Sequence, residues 1–123
     1  MTRILVFGNA KGGTGKSTLA LHTAVGLMQQ GRRVAVLDLD PGQGTLTRYL
    51  ENRKALNPSL KVPASIDLPP AAEAEMLSRA IADLASGHEI LILDTPGSDT
   101  PLARAGHAWA DLLVTPLNDS FLD

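Results

Sequence analysis

The chain has 123 residues, contains no cysteine and carries a formal net charge of −2. This length allows one domain with one hydrophobic core, and the lack of cysteine excludes disulfides, iron–sulfur clusters and thiolate zinc sites. The weak charge gives no general attraction to nucleic acid, and no apolar run suits a signal peptide or a membrane span, which predicts a cytoplasmic globular protein.

The first third of the chain predicts two buried strands with a helix between them. Residues 4–7 form an apolar run that a glycine ends, as in a strand buried on both faces. Apolar residues then recur at helical spacing over 19–28, and Gly31 follows as a C-terminal cap. A second apolar run over 34–37 predicts another strand, which ends at Asp38.

The middle of the chain is less regular. Residues 45–54 predict a short helix, and residues 57–70, which contain four prolines, predict a loop. A loop of that length inside a compact domain is unusual and is often functional or inserted. Residues 71–86 place apolar side chains on one helical face, so we expect a further helix there.

The last third predicts two more strands and one more helix. The strands cover 90–93 and 112–114, and Asp99 or Thr100 can cap a helix that starts at Pro101. Apolar strands that alternate with helices indicate a parallel sheet covered on both faces. The predicted fold class is α/β, in three α/β/α layers around a mostly parallel sheet of about four strands.

The segment between the first strand and the first helix predicts a loop that binds nucleotide phosphates. Residues 10–17, AKGGTGKS, fit the pattern Gly-x-x-x-x-Gly-Lys-Ser/Thr if alanine is allowed first. Backbone N–H groups of such a loop converge on phosphate oxygens, Lys16 neutralises their charge and Ser17 ligates Mg²⁺. The alternative is a glycine-rich turn without a ligand. The predicted nucleotide-binding residues are Gly12, Gly13, Thr14, Gly15, Lys16, Ser17 and Thr18.

Carboxylates end two of the predicted strands. The run ILILDTPG presents Asp94 at a strand tip before a glycine-containing turn, which is the Walker-B arrangement of a residue that holds Mg²⁺ through water. Asp38 and Asp40 follow the second strand, and alternation along an extended chain places both on the side of the phosphate loop. One can assist the metal while the other orients a water, unless they merely end a strand and cap a turn.

Three motifs, in this order and at this spacing, resemble the ParA/MinD family of deviant Walker-A ATPases. They are KGGTGKST at 11–18, DLD at 38–40 and DTPG at 94–97. The segments YLENRKA and HAWADLLVTPLNDSFLD resemble the MipZ group of that family, which positions the division plane. Residues 56–87 carry no part of the resemblance.

The resemblance implies a single P-loop NTPase-type domain over 1–123, the N-terminal part of a longer and here incomplete family domain. It also implies that ATP, with Mg²⁺, joins two subunits, so that Lys11 reaches the phosphates of the neighbouring subunit. A second cation near the charge that develops on the γ-phosphate acts as an arginine finger does in GTPases. The implied catalytic residues are Lys11, Lys16 and Asp40, and the implied metal site is Ser17, Asp38 and Asp94.

The implied function is an ATP-binding, ATP-hydrolysing dimerisation switch that positions cell division or chromosome segregation in bacteria. The implied partners are a ParB-type protein, FtsZ and non-specific DNA, without a membrane, in a cytoplasmic, nucleoid-associated protein. The chain departs from the family after Asp40, where it has DPGQGT instead of the usual DPQGN. The family elements that contact adenine and DNA also lie outside these residues.

Two other functions stay open. A metabolic ATP-dependent enzyme on the same fold, such as a carboxylase or kinase, needs a substrate pocket, for which 57–70 is the candidate segment. A fragment that binds nucleotide or partners without catalysis is the other possibility, and the residues alone do not distinguish ATP from GTP. His22, His88 and His107 lack metal-ligand spacing, which predicts structural or surface roles.

Overall fold

The computed structural model describes residues 1–8 and 15–115. Strands and helices alternate along these residues, as the apolar runs and helical stripes predict. The strands are β1 (Arg3–Phe7), β2 (Val34–Asp38), β3 (Ala64–Ser65), β4 (Ile90–Asp94) and β5 (Leu112–Val114). The helices are α1 (Lys16–Gln29), α2 (Thr45–Leu56), α3 (Ala74–Ala85) and α4 (Pro101–Ala108).

The strands form one parallel sheet in the order β3-β2-β4-β1-β5. Phe7 of β1 is level with Asp94 of β4, and Asp94 is level with Asp38 of β2. Three strands therefore end side by side at one edge of the sheet. In open α/β sheets, ligands bind at this carboxyl edge.

Helices cover both faces of the central strands, whereas Leu112 and Leu113 of the edge strand β5 are exposed. Alternate strand residues face either α3 and α4, as Val6 and Leu37 do, or α1 and α2, as Phe7 and Val36 do. Because both faces are covered, all five residues of β2 are buried. The prediction of three α/β/α layers is confirmed.

The sheet has five strands where the sequence predicts about four. The additional strand β3 lies inside the predicted loop over 57–70 and pairs with Ala35 and Val36 of β2. Both residues of β3 are exposed, so no apolar pattern marks the strand, and backbone hydrogen bonds alone define it. Leu68, from the same segment, is buried in the core on the α3 side.

Gly31 ends α1 as predicted. It adopts a left-handed conformation with φ of 85°, which glycine reaches without steric cost. Its N–H donates to the carbonyl of Met28 at 2.9 Å, and the N–H of Arg32 donates to Leu27 at 3.1 Å. These bonds satisfy carbonyl groups that the helix end would otherwise leave without partners.

Thr100 is the cap of α4, and we expect its replacement by alanine to lower the free energy of unfolding by about 1 kcal/mol. Its hydroxyl accepts the backbone N–H of Ala103 at 3.0 Å, whereas Asp99 pairs with Arg104 at the surface. Urea denaturation of Thr100→Ala measures the loss. Ser98→Ala, which removes an exposed hydroxyl from the same turn, is the matched control. Equal midpoints for the two variants would contradict the capping role.

In the part of the chain that the structure describes, the helices are too short and too polar for any of them to cross a bilayer.

Candidate functional site

The start of α1 carries the described part of the predicted phosphate loop. Gly15 precedes the helix in a left-handed conformation with φ of 73°, and its carbonyl accepts the N–H of Leu19 at 2.9 Å. Lys16, Ser17 and Thr18 form the first turn. The predicted residues Lys11, Gly12, Gly13 and Thr14 lie outside the described residues.

The carboxylate of Asp94, at the end of β4, contacts this first turn of α1. One carboxylate oxygen forms an ion pair with the ammonium group of Lys16, and the other accepts the hydroxyl of Ser17 at 2.5 Å. The side chain of Asp94 is only 3% exposed and that of Lys16 is 11% exposed. A carboxylate so deeply buried needs such partners, because an unpaired buried charge is costly. The structure thus brings together three of the predicted site residues.

The donor atoms at Asp94 suit magnesium. Carboxylate and hydroxyl oxygens are the hard ligands that Mg²⁺ takes from proteins, together with water and substrate phosphates. Among residues 1–8 and 15–115, no three or more His, Asp or Glu side chains cluster closely enough to hold a metal alone. A Mg²⁺ ion bound by Ser17 and Asp94 would therefore complete its coordination with water or phosphate oxygens.

Asp38 lies next to Asp94 in the sheet, but its carboxylate is bonded to the segment that follows it. It accepts the N–H of Asp40 at 2.9 Å, and both the N–H and the hydroxyl of Thr47 at 3.2 Å. The role of metal ligand proposed for Asp38 stays a prediction. The regular strand ends at Asp38 and the chain bends at Leu39, so strand alternation does not determine the direction of Asp40.

Burial raises the pKa of Asp38, and the negative charge of Asp94 raises it further, against the hydrogen bonds from Asp40 and Thr47. A raised pKa means that the folded chain holds this proton more tightly than the unfolded chain. The contribution of Asp38 to stability is therefore largest below its ordinary pKa. It declines as the pH rises through the folded pKa.

Helix α4 contacts the strand ends through two residues that the motifs do not include, Gly106 and His107. A Cβ atom on Gly106 would lie 2.3 Å from a methyl group of Leu39, which is buried between Asp38 and Asp40. A Cβ atom on Gly8, the residue after β1, would lie 2.6 Å from Nε2 of His107. One helical turn therefore packs against residues that follow two of the site strands.

Thr95, the residue after β4, also makes contacts where these strands end. It is fully buried, its hydroxyl donates to the carbonyl of Phe7 at 2.7 Å, and its N–H donates to the same oxygen at 3.0 Å. These bonds tie the turn after β4 to the end of β1. His107 is half-buried and lies against Gly8, and this contact depends on helix packing that no motif marks. The structural or surface role of His107 stays a prediction.

Comparison with known proteins shows which family the chain resembles. A profile of the family ATPase MipZ matches residues 3–123. The chromosome-partitioning ATPase Soj of Thermus thermophilus is 30% identical over an alignment of 145 positions, and this alignment covers 97% of this chain and 56% of that protein. The chromosome-partitioning protein ParA of Myxococcus xanthus is 29% identical, covering 94% of this chain and 52% of that protein. The chain thus spans about half the length of these curated relatives.

Among solved structures, cobyrinic acid a,c-diamide synthase from Mycobacterium smegmatis with bound ADP and magnesium superimposes with a TM-score of 0.72. The two sequences are 32% identical, and the alignment covers 95% of this chain and 60% of that one. Because the profile covers residues 3–123, it shows the family of the chain. The chain belongs to the ATPase MipZ family, within the wider ParA/MinD group of ATPases.

Proposed function

We propose that the chain binds ATP with Mg²⁺ and hydrolyses it as part of a dimerisation switch for positioning cell division or chromosomes. The observation that carries this proposal is the buried Asp94, which accepts one bond from Lys16 and another from Ser17. A phosphate-binding cation and a metal-binding hydroxyl thus meet at one carboxylate. The family and its chromosome-partitioning relatives support ATP as the nucleotide and positioning as the purpose.

Each described residue then has a distinct task. Ser17 and Asp94 would hold Mg²⁺, which supplies charge neutralisation at the phosphates. Lys16 balances the buried charge of Asp94 in this structure and would exchange that partner for phosphate oxygens in the bound state. Gly15 and Thr18 would contribute backbone N–H groups at the helix N-terminus, where negative charge is stabilised.

Two further residues would serve hydrolysis and its control. Asp40 is half-buried directly after the strand that ends beside Asp94, and we assign it the orientation of the attacking water. Lys11, which lies outside the described residues, would reach the phosphates of a second subunit. ATP would then hold two subunits together, and hydrolysis would release them.

The dimerisation test uses three variants and sedimentation velocity with Mg²⁺–ATP. We expect Asp40→Ala to accumulate as a dimer because it binds ATP without hydrolysing it. Lys11→Ala should stay monomeric at the same ATP concentration, and Lys54→Ala, an exposed lysine on α2, should behave as the unmodified chain does. Dimerisation and turnover of Lys11→Ala equal to those of Lys54→Ala would refute the role in trans. No ATP binding by the unmodified chain would refute the function as a whole.

The proposal extends to location and partners. We propose a cytoplasmic, nucleoid-associated protein that acts with a ParB-type protein, with FtsZ and with non-specific DNA. The resemblance supports these partners. Co-sedimentation of the protein with DNA, with and without ATP, tests the nucleic-acid partner directly.

The alternative function is that of a metabolic ATP-dependent enzyme, which needs a substrate site. A groove in the structure is the candidate for that site. The groove has a volume of ≈ 620 Å³ and lies between the segment after Asp40, residues 70–74 and the start of α4. Asp40 and Glu73 are the charged residues of its described lining. The similarity to the synthase favours this alternative. It predicts that ADP release depends on a metabolite that binds in this groove.

A further inference from the structure

The start of α2 lacks a capping side chain of its own. Its N-cap residue is Gly44, which adopts a left-handed conformation with φ of 62°. The first N–H groups of a helix have no intrahelical partner, and the side chain of the N-cap residue usually satisfies one of them. Glycine cannot do so, which leaves the acceptor to another element or to water.

Asp38 supplies that acceptor from β2. Its Oδ2 atom accepts both the N–H and the hydroxyl of Thr47, the third residue of α2, each at 3.2 Å. The N–H at this position is the one that an N-cap side chain normally binds. A carboxylate is also favoured here because the helix dipole places positive charge at its N-terminus. Asp38 thus caps α2, although it lies nine residues before Thr47 in the sequence.

The other oxygen of the Asp38 carboxylate binds the start of the segment that connects β2 to α2. Oδ1 of Asp38 accepts the N–H of Asp40 at 2.9 Å. The carbonyl of Asp40 in turn accepts the N–H of Gly44 at 2.8 Å, which closes the turn between them. One carboxylate therefore contacts both ends of residues 40–47.

The sheet holds Asp38 itself in place. Asp38 is the last residue of β2, is only 9% exposed and is level with Asp94 of β4. Because β2 is buried throughout, the backbone of Asp38 is held in the centre of the sheet. The position of Asp40 is consequently defined relative to Asp94 and to the first turn of α1, which Asp94 contacts.

We propose that Asp38 and Thr47 are positioning residues that anchor segment 40–47 to the sheet and thereby place Asp40. The consequence for hydrolysis rests on the proposed function, whereas the anchoring is a property of the chain alone. In this role Asp38 acts through Asp40 and Thr47. The hydroxyl of Thr47 anchors the segment through its bond to Asp38, and this role requires no contact with the nucleotide.

Amide hydrogen exchange without nucleotide tests the anchoring. Thr47→Val keeps the shape of the side chain but removes its bond to Asp38, and we expect the amides of Asp40 and Thr47 to exchange about tenfold faster. Thr47→Ser keeps the hydroxyl and should restore the original rates. Thr23→Val, which removes a threonine hydroxyl from α1, is the matched control and should leave both amides unchanged. Unchanged exchange in Thr47→Val, or no recovery in Thr47→Ser, would overturn the proposal.

Steady-state turnover of Mg²⁺–ATP by the same variants tests the placement of Asp40. We expect kcat of Thr47→Val to fall about tenfold while KM stays within about twofold, with recovery in Thr47→Ser. Faster exchange combined with an unchanged kcat would overturn the placement of Asp40. Absence of turnover in every variant, including the unmodified chain, would count against the proposed function only, since the exchange measurement still decides the anchoring.

Discussion

Replacement of Lys16 by methionine is expected to abolish ATP binding and to destabilise the chain in the same step. The loss of binding follows from the removal of the cation that would meet the phosphate oxygens. The loss of stability has a different cause. Asp94, which is 3% exposed, would remain buried without its ion-pair partner, at a cost of about 3 kcal/mol in the free energy of unfolding. Isothermal titration with Mg²⁺–ATP and urea denaturation measure the two effects separately.

A second substitution distinguishes these causes. In the double variant Lys16→Met with Asp94→Asn, the buried charge is gone, so most of the lost stability should return while ATP binding stays absent. Lys54→Ala removes an exposed lysine and should change neither quantity. If the double variant were as unstable as Lys16→Met, the ion pair with Asp94 would not be the reason for the destabilisation. If Lys16→Met bound ATP as tightly as the unmodified chain, the proposed phosphate site would be wrong.

The second large effect is expected at Gly106. Replacing a glycine inside a helix by alanine usually stabilises a protein by about 0.5–1 kcal/mol. Gly106→Ala should instead destabilise the chain by about 1–3 kcal/mol, because its new Cβ would lie 2.3 Å from a buried methyl group of Leu39. Since Leu39 lies between Asp38 and Asp40, we also expect slower ATP turnover in this variant. Thermal unfolding and steady-state kinetics measure the two effects.

Gly26 provides the matched control for Gly106. It lies within α1, and a Cβ there would meet no atom within 4 Å, so Gly26→Ala should stabilise the chain. The opposite signs expected at the two glycines separate helix propensity from packing. In a Leu39→Val background the cost of Gly106→Ala should be smaller, because the branch that meets the new Cβ is shorter. Equal stabilisation by both alanine variants would show that α4 moves away from Leu39 without cost.

The strands β1, β2 and β4 could be predicted from the sequence to within one residue at each end. They are buried on both faces, so each is a continuous apolar run that local composition reveals. The strand β3 could not be predicted because it is two residues long and both are exposed. Backbone pairing with β2 creates it, and that pairing depends on where the chain returns to the sheet.

The candidate site also has one part that could be predicted from the sequence and one part that could not. The prediction that Lys16, Ser17 and Asp94 form a site rests on a contiguous motif and on the edge where parallel strands end, and the three side chains do meet. The bonds of Asp38 to Thr47 had no comparable signal. They depend on how α2 starts at Gly44, where the helix lacks a capping side chain.

The sequence by itself determined the α/β class, the order of the elements and the edge at which Asp94 meets the start of α1. These features follow from local patterns, since apolar runs, glycines and terminal carboxylates act within a few residues of one another. Only the tertiary structure decided which groups Asp38 binds and which helix turn packs on Leu39. Those contacts join residues on different elements, and packing at near-crystalline density, not local preference, selects them.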